Sequence, residues 1–322
     1  MVATPPPADR DILREMGDLG EQIRAACATV AARAGQVQVE HGAIEAYART
    51  LSGLAPEPDP DPDAHRLLAG RDELAAFWLT LDAINFGSGW FPTLRKRPGR
   101  SGYFTVASAL RARFARAGPW SAQQLSAMQA AELAAVLDQD PAHELMSLFA
   151  ASLRDLGVHL LLEHDGSFTA LVDSAPGAQA MAARLGSWSS FADSSSYHGL
   201  AVPFLKRAQI AAADLTRAGV AAFRDLDRLT MFADNLVPHV LRLDGVLSWD
   251  PQLVTRVARG ELLDHGSPEE VEIRACAVHA VELLVAALPG SCAADVDQLL
   301  WNRGQQPRYK ASPRHRCRCT AY

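Results

Sequence analysis

The feature of this sequence that most constrains its fold is the spacing of its apolar residues, which recur at every third or fourth position along most of the chain. The pattern occupies the segments 9–34, 113–137, 143–156, 205–221 and 271–288. Such spacing is typical of amphipathic helices that pack in layers. The alternation expected of half-buried strands is nearly absent, and residues 167–172 are the one short candidate. We therefore expect an all-α protein with at most one small β-hairpin.

Size and composition indicate a large folded protein. The chain has 322 residues, of which 48% are hydrophobic and 21% are charged. At this length and composition a core can form without disulfides or a structural metal. The formal net charge of −6 argues against a broad phosphate-binding surface, although a small anionic ligand needs only one or two cations. We therefore expect no direct nucleic-acid partner.

The chain carries five cysteines, and no uninterrupted apolar run is long enough to cross a membrane. The first residues also lack the apolar core of a secretory signal. These observations favour a reduced, cytoplasmic protein without a membrane partner, which we expect to be a monomer or a weak dimer. We expect one domain over residues 1–322, with N-terminal helices and a linker at 1–62, a core with the active site at 63–303 and a basic C-terminal segment at 304–322.

A glycine-rich loop follows a predicted helix that ends near Asn85. The loop reads Asn-Phe-Gly-Ser-Gly-Trp-Phe-Pro and is followed by the basic run Arg95, Lys96 and Arg97. One interpretation is a pocket wall with cations available for a phosphate group. The other is a helix end, terminated by Gly87 in the usual way and followed by a solvated basic loop. The Gly-Ser-Gly sequence matches neither the dinucleotide-binding nor the Walker pattern, so we expect no nucleotide binding by those routes.

A second loop, residues 188–203, combines serines with aromatic and acidic side chains before a predicted helix. Phe191 can stack on a planar ligand. Asp193 can accept hydrogen bonds from the paired N–H donors at the edge of a guanine-like base. The alternative is a serine-rich surface loop, and the sequence leaves both interpretations open.

Asp234 is the one acid in the apolar run 231–240. A carboxylate in such a run is either buried with a partner or part of a site. We expect Pro238 to interrupt a helix at Asp234, because proline removes the backbone hydrogen bond to the carbonyl four residues earlier. Broken helices with an acid at the break occur at active sites, but a structural N-cap aspartate fits the sequence equally well.

Residues 301–322 form a basic segment in which His315, Cys317 and Cys319 follow one another closely. These residue types are typical zinc ligands, but a Cys-x-Cys pair with one histidine lacks the second paired half of a zinc site. We therefore expect no metal and no cofactor. We expect the segment to lie extended along the body of the protein.

Several short runs occur in an order that is specific when they are taken together. They are the residues 191–193, 204–209, 229–234, 237–238, 272–275, 297–301 and 313–316. In this arrangement the chain resembles the queuosine salvage family, the queuosine 5′-phosphate N-glycosylase/hydrolases, over residues 82–322. The resemblance implies an all-helical fold similar to that of helical DNA glycosylases. It also implies release of the base queuine from queuosine 5′-monophosphate without a metal.

The resemblance also implies which residues form the site. Asp234 falls on the family's catalytic carboxylate, and Phe191 and Asp193 fall on positions that hold the deazaguanine base. Three further ligand-contacting positions correspond to His41, Asn235 and His239. The family more often has an aromatic residue where Asn235 stands, so a related nucleotide with a different base is also compatible with this sequence.

Cleavage of an N-glycosidic bond develops positive charge on the ribose, which a carboxylate near the anomeric carbon stabilises. Asp234 can stabilise this cation, attack it or orient the water, and the sequence leaves these roles open. Lys206 and Arg207 are the first candidates for binding the 5′-phosphate, and the run 95–97 is the second. The alternative functions are a helical adaptor that binds a partner or RNA through its basic tail, and a helix-hairpin-helix DNA glycosylase.

Overall fold

The computed structural model describes residues 18–54 and 62–322. Helices account for 58% of the structure, far above the roughly one-third of an average globular protein. Within these residues, strands form two short antiparallel pairs. The predicted all-α fold is therefore confirmed. Residues 9–17 of the periodic segment 9–34 and most of the predicted linker lie outside the described residues.

Sixteen α-helices occur in the described chain. The first eight are α1 (Leu19–Ala31), α2 (His41–Leu51), α3 (Pro62–His65), α4 (Arg71–Ala83), α5 (Gly102–Ala117), α6 (Ala122–Ser126), α7 (Ala130–Leu137) and α8 (Glu144–Glu163). The other eight are α9 (Phe168–Ser174), α10 (Ala178–Gly186), α11 (Lys206–Arg217), α12 (Val237–Leu243), α13 (Pro251–Ala258), α14 (Pro268–Ala286), α15 (Ala293–Arg303) and α16 (Pro307–Lys310). The periodic segments 143–156, 205–221 and 271–288 correspond to α8, α11 and α14, whereas 113–137 is divided among α5, α6 and α7.

The strands are β1 (Val37–Val39), β2 (Ser194–Tyr197), β3 (Leu200–Pro203) and β4 (Leu247–Trp249). β2 and β3 form the one hairpin seen in the described chain. Its two-residue turn, His198-Gly199, has positive φ at both positions, as a type I′ turn requires. β1 pairs with the distant β4, so that Val37 lies opposite Trp249.

The strand predicted at residues 167–172 is wrong, because this segment forms α9. The Ser167 hydroxyl accepts a hydrogen bond from the Ala170 amide at 3.1 Å and caps the helix. Phe168, Leu171 and Val172 are buried. Over so short a segment, three buried positions with this spacing fit one face of a helix as well as they fit a strand.

Helix α14 lies at the centre of the fold. It packs against α1, α2, α12, α15 and β1, while α11 packs against α4 and α10 on the other side of the core. Every residue from 270 to 278 is buried, and three of them are charged: Glu270, Glu272 and Arg274. Buried charges are stable only with partners. The segments that supply these partners are therefore held against α14.

Helix α8 is long and apolar enough to cross a membrane by length and composition alone, with a mean hydropathy of 1.4. The sequence contains no uninterrupted apolar run of this length, so we did not expect any helix to meet this criterion. Half of its most apolar window is buried inside the protein, and core helices of soluble proteins pass the same test. Its Asp155 carboxylate accepts hydrogen bonds from the Ser189 hydroxyl and the Ser190 amide, both at 2.9 Å. Part of its polar face therefore also contacts the protein.

The basic C-terminal segment lies along the body of the protein, as predicted. The Leu263 amide donates to the Arg316 carbonyl oxygen at 2.9 Å, and the Gly87 amide donates to the Tyr322 carbonyl oxygen at 3.1 Å. The buried side chains of this segment include Tyr309, His315, Cys317, Cys319 and Tyr322. The segment therefore connects the loop before α14 with the loop after α4.

The crossing of α6 and α8 supplies a test of the packing. A Cβ atom on Gly157 of α8 would lie 2.3 Å from the Ser126 amide nitrogen and 2.7 Å from the Ala122 carbonyl oxygen, both backbone atoms. We expect Gly157→Ala to lower the free energy of unfolding by about 1–3 kcal/mol, measured by urea denaturation. Gly42→Ala on α2 is the matched control, because nothing lies within 4 Å of the added atom. Equal stability of the two variants would contradict the close crossing.

Candidate active site

The structure contains a cavity of about 720 Å³, within the size range of small-molecule sites. Its walls come from α4, α5, α11, α15, the loop after α4, the segment 232–236 and the C-terminal segment. These elements are distant in sequence. The cavity therefore exists only in the complete fold.

One wall of the cavity is aromatic. Its side chains include Trp78, Phe86, Phe91, Tyr103, Phe104 and Trp301. The rings of Tyr103 and Trp301 meet edge to face, with their centroids 6.1 Å apart. Phe86 and Phe91 belong to the glycine-rich loop, so its interpretation as a pocket wall is supported. Its basic run at 95–97 is not part of the lining.

Asp234 both caps a helix and lines the cavity. Its Oδ1 accepts hydrogen bonds from the amides of Leu236 at 2.8 Å and Val237 at 2.9 Å, which leaves Oδ2 for the cavity. Pro238 does not break a helix here, contrary to the sequence prediction. It lies in the first turn of α12, where a missing N–H group costs nothing. The two interpretations of Asp234 are therefore compatible.

The segment before Asp234 has no regular structure, and side chains of three helices fix its backbone. The Thr230 amide donates to Gln209 Oε1 at 2.9 Å, and the Phe232 amide donates to Asp297 Oδ1 at 3.0 Å. Arg274 Nε donates to the Ala233 carbonyl oxygen at 3.0 Å. These bonds satisfy backbone groups that a helix or sheet would otherwise satisfy. They also fix the approach of the chain to Asp234.

The buried guanidinium of Arg274 connects this segment to the rest of the site. Its Nη2 lies 2.7 Å from Asp193 Oδ2, and its Nη1 lies 3.5 Å from Glu270 Oε1. Its carbon Cζ lies 3.9 Å from the ring centroid of Phe204 and 4.7 Å from that of Tyr322. Arg274 is therefore enclosed by two carboxylates and two aromatic rings. The sequence showed this residue in a family run but did not predict its role.

Phe191 and Asp193, predicted to hold the base, lie behind the cavity wall rather than on it. Phe191 is fully buried and packs against the guanidinium of Arg207. Asp193 Oδ2 is occupied by Arg274 and by the Lys206 amide, at 3.0 Å. This geometry does not support the expectation of direct ligand contact, because neither side chain lines the cavity, although the buried Asp193 Oδ1 has no hydrogen-bond partner among the described residues. They support the start of α11.

The two cations predicted to bind phosphate have different positions. Lys206 lines the cavity, and its Nζ donates to the Asn85 carbonyl oxygen at 2.9 Å. Burial lowers the pKa of Lys206 to about 8. Arg207 is buried and donates to the carbonyl oxygens of Ala83 and Ser190. Because Arg207 does not reach the cavity, the prediction that it binds phosphate is not supported by this geometry.

The three remaining predicted contacts also differ in position. Asn235 lines the cavity, and its Nδ2 donates to the His315 carbonyl oxygen at 3.0 Å. His239 is buried outside the lining, and its Nε2 lies 2.9 Å from the Tyr309 carbonyl oxygen. His41 is exposed at the start of α2, also outside the lining. The structure therefore brings together Asp234, Asn235 and Lys206, and it separates His41 and His239 from them.

Two further acids, Asp214 and Asp297, line the cavity. Neither was predicted from the sequence to be a site residue. Burial raises the pKa of Asp297 well above its usual range, and the neighbouring Asp234 carboxylate raises it further. Burial also raises the pKa of Asp214 to about 6, although Arg217 opposes the shift. The one sequence feature that could have indicated these acids is their position on apolar helix faces. Acids at such positions are more often structural residues with partners, so this feature alone would not have identified them as site residues.

Two cations of the C-terminal segment, Lys310 and Arg314, also line the cavity. Within the described part of the chain, neither side chain makes a hydrogen bond to protein. By contrast, the cavity residue Arg217 donates to Gln298 Oε1 at 3.2 Å and to the Ala294 carbonyl oxygen at 3.1 Å. The basic tail thus places two cations at the site. The sequence predicted only that this segment packs along the body of the protein.

Metal-ligating atoms converge at one place in residues 18–54 and 62–322, and that place is not the cavity. The group is His265, Cys317 and Cys319. His315 is not part of it. Its ring is buried between those of Trp249 and Tyr322. The cavity itself therefore offers acids, cations and aromatic rings.

Several known proteins are similar to this chain in sequence. A relative from Sphaerobacter thermophilus, named queuosine 5′-phosphate N-glycosylase/hydrolase, is 34% identical over 95% of this chain and 100% of its own length. Relatives of the same name from Mus musculus and Bos taurus are 30% and 27% identical, over 79% and 91% of this chain and 83% and 96% of their own lengths. The family model described as queuosine salvage protein matches residues 65–322. This range includes every residue that lines the cavity except Pro62. With the resemblance of the sequence runs confirmed in this way, the chain belongs to the queuosine salvage protein family.

Proposed function

We propose that this protein is an N-glycosyl hydrolase that releases queuine, or a related 7-deazaguanine base, from queuosine 5′-monophosphate in base salvage. The observation that carries the proposal is the position of Asp234, anchored by two backbone amides on the wall of an aromatic cavity. The relatives' shared name supports the reaction. The cavity supports it through its combination of rings, acids and cations.

The reaction breaks the bond between the ribose C1′ atom and the base nitrogen. Water supplies a hydroxyl group to C1′, and the departing base gains a proton. Positive charge develops on the ribose as the bond breaks. A carboxylate already held in place stabilises that charge without reorganising. The anchored Oδ1 of Asp234 fixes its Oδ2 in this way, whether the group stabilises the cation, attacks it or orients the water.

The departing base needs a proton donor, because a 7-deazaguanine has carbon where guanine has N7 and cannot be protonated there. We assign this role to Asp297, which is held next to Asp234 by its hydrogen bond from the Phe232 amide. Burial and the neighbouring Asp234 carboxylate raise its pKa well above the usual range, so it keeps its proton to higher pH than an ordinary aspartate does. Two carboxyl groups in different environments thus divide the acid and charge-stabilising roles.

The deazaguanine base needs a flat surface to stack on. Its N–H groups and its cationic aminomethyl arm need a hydrogen-bond acceptor. The aromatic wall offers the surface, in place of the buried Phe191. Asp214, on the cavity side of α11, offers a carboxylate for the N–H groups of a guanine-like edge or for the cationic aminomethyl arm, in place of Asp193. Above its pKa of about 6 Asp214 is ionised and suited to both contacts.

The 5′-phosphate needs cations in the cavity that are not already committed to hydrogen bonds with the protein. Arg314 and Lys310 meet this requirement, whereas Arg207 is committed to backbone carbonyls. An arginine binds phosphate through paired N–H donors, and a lysine adds a point charge. We therefore propose that the tail, rather than the start of α11, binds the phosphate.

The adaptor function is less well supported by the structure. A tail that docks on a partner needs exposed side chains, but Tyr309 and Tyr322 are only 4% and 3% exposed, and two of its cations face the cavity. From composition, we further propose that the protein is cytoplasmic, acts as a monomer or weak dimer and binds no nucleic acid directly.

The first prediction tests the proposal itself. The protein incubated with queuosine 5′-monophosphate should release free base, measured by liquid chromatography. Asp234→Asn keeps the size of the side chain and an oxygen for the two amides but removes its charge. Because this charge acts mainly in the transition state, kcat should fall on the order of 10²–10³-fold while the nucleotide still binds.

The matched control is Asp227→Asn, which removes an exposed carboxylate close in sequence and should leave kcat unchanged. If the Asp234 variant cleaves within a few-fold of the parent, this carboxylate has no part in the mechanism. If it is unfolded by circular dichroism, its role is that of a structural cap.

A second prediction concerns pH. The raised pKa of Asp297 means that the proton donor is present at low pH and is lost as the pH rises through that raised value, at higher pH than for an ordinary aspartate. The parent's kcat should therefore fall on the alkaline side. Asp297→Asn should lower kcat by on the order of 10²–10⁴-fold and abolish this alkaline decline, because its amide does not titrate. An Asp297 variant with the parent's pH profile would exclude the residue as the acid.

A third prediction concerns the phosphate. Arg314→Ala and Lys310→Ala should each raise KM for the monophosphate by about 10- to 100-fold, the equivalent of one lost charged hydrogen bond. KM for the nucleoside without phosphate should not change. Lys96→Ala is the control, since Lys96 is exposed and lies in the basic run outside the cavity. Equal effects on nucleotide and nucleoside would show that these cations are structural.

A further inference from the structure

A second group of reactive side chains lies outside the cavity. Atoms of His265, Cys317 and Cys319 that can ligate a metal lie within 4.8 Å of one another. Four ligands arranged tetrahedrally around zinc at thiolate distances are about 3.8 Å apart, so a shift of about 1 Å would complete the geometry. In the sequence, His315 is the histidine nearest to these two cysteines. The fold instead supplies His265, from the loop before α14.

The two segments that carry these residues are held side by side. The Leu263 amide donates to the Arg316 carbonyl oxygen at 2.9 Å, and Leu263 and Cys317 form a parallel β-bridge. On the other side, a Cβ atom on Gly89 would lie 2.4 Å from the Cys317 carbonyl oxygen. The backbone around Cys317 is therefore enclosed from two directions. The cluster is preorganised rather than formed by a free tail.

A carboxylate stands behind the histidine. Glu270 Oε2 lies 3.7 Å from His265 Nδ1 and accepts a hydrogen bond from the Gly266 amide at 3.0 Å. Carboxylates in this position orient metal-bound histidines in many zinc sites. Both cysteines are free thiols and are buried, away from competing solvent.

We propose that His265, Cys317 and Cys319 bind one Zn²⁺ ion, with water at the fourth position. Two thiolates and an imidazole are soft and borderline ligands that favour zinc over magnesium or calcium. The two thiolates also cancel the charge of the ion, so that binding adds no net charge beside the buried pair of Glu270 and Arg274. The ion would fasten the tail that carries Arg314 and Tyr322 into the cavity wall, and it takes no part in the reaction proposed above.

The test uses the full-length protein, purified with a reductant and then exposed to Zn²⁺ alone. After desalting, mass spectrometry of the metal content should find one zinc per chain in the parent. Substitution by Co²⁺ should produce thiolate-to-metal charge-transfer absorption. The parent's Tm should rise with zinc, because the ion binds the folded state.

The variants Cys317→Ala, Cys319→Ala and His265→Asn should each lose zinc at least about tenfold and lose the Tm increase. Cys292→Ala is the matched control, because Cys292 lies outside the cluster, and it should bind zinc like the parent. Circular dichroism of each variant establishes that it is folded. If a variant unfolds, the charge-transfer band of the parent still decides the question.

Two results would overturn the proposal. One is a parent protein with fully reduced thiols that takes up neither Zn²⁺ nor Co²⁺. If Cys317 and Cys319 are first found as a disulfide, the same result after its reduction also overturns the proposal. The other is equal zinc uptake by the parent and the double variant Cys317→Ala, Cys319→Ala. Neither result depends on glycosidase activity, so the proposed function is tested separately.

Discussion

The geometry of the site depends on one buried cation, the guanidinium of Arg274. A buried charge without partners would cost several kcal/mol, so its neighbours must remain in place. Burial alone would lower its pKa, but the Asp193 and Glu270 carboxylates raise it above the ordinary value, and the group stays charged. Apart from Glu270 on the same helix, three of its neighbours belong to segments without regular structure: Asp193 in the loop before β2, Tyr322 in the tail and Ala233 in the stretch before Asp234. One side chain of a rigid central helix therefore positions three otherwise irregular segments.

The helices could be predicted from sequence because the information is local. Apolar spacing located α8, α11 and α14, although α8 continues to Glu163, beyond the predicted segment 143–156. An acid within an apolar run marked Asp234 as a candidate. The contacts that build the site are not local. Bonds such as Phe232 to Asp297 join side chains to backbone across long stretches of chain and leave no periodic pattern. Asp193 has the chemistry for base recognition, but the fold uses that chemistry to hold Arg274, and residue type alone cannot distinguish the two uses.

The charges in the cavity suit a ligand with three different parts. Asp214 on α11, Asp297 on α15 and Asp234 just before α12 line the cavity together with aromatic rings, while two cations come from the tail. A nucleotide has the complementary arrangement: a flat base, a ribose that becomes positive during cleavage and a terminal phosphate. The acids also differ among themselves, since enclosure raises the pKa of Asp297 whereas Asp234 accepts two amide hydrogen bonds. Enclosure and backbone contacts, rather than residue type, therefore give chemically identical side chains different tasks.

The hydrogen bond from the Gly87 amide to the Tyr322 carbonyl oxygen has a consequence for the order of folding. It closes a loop of most of the chain, and contacts of such long range form late because the entropy of closure must first be overcome. Partly folded molecules can therefore contain most native helices and still lack a complete cavity wall. Spectroscopic helix content and the ability to bind nucleotide should then recover at different rates after denaturation, and ligand binding becomes the more faithful measure of a finished native state.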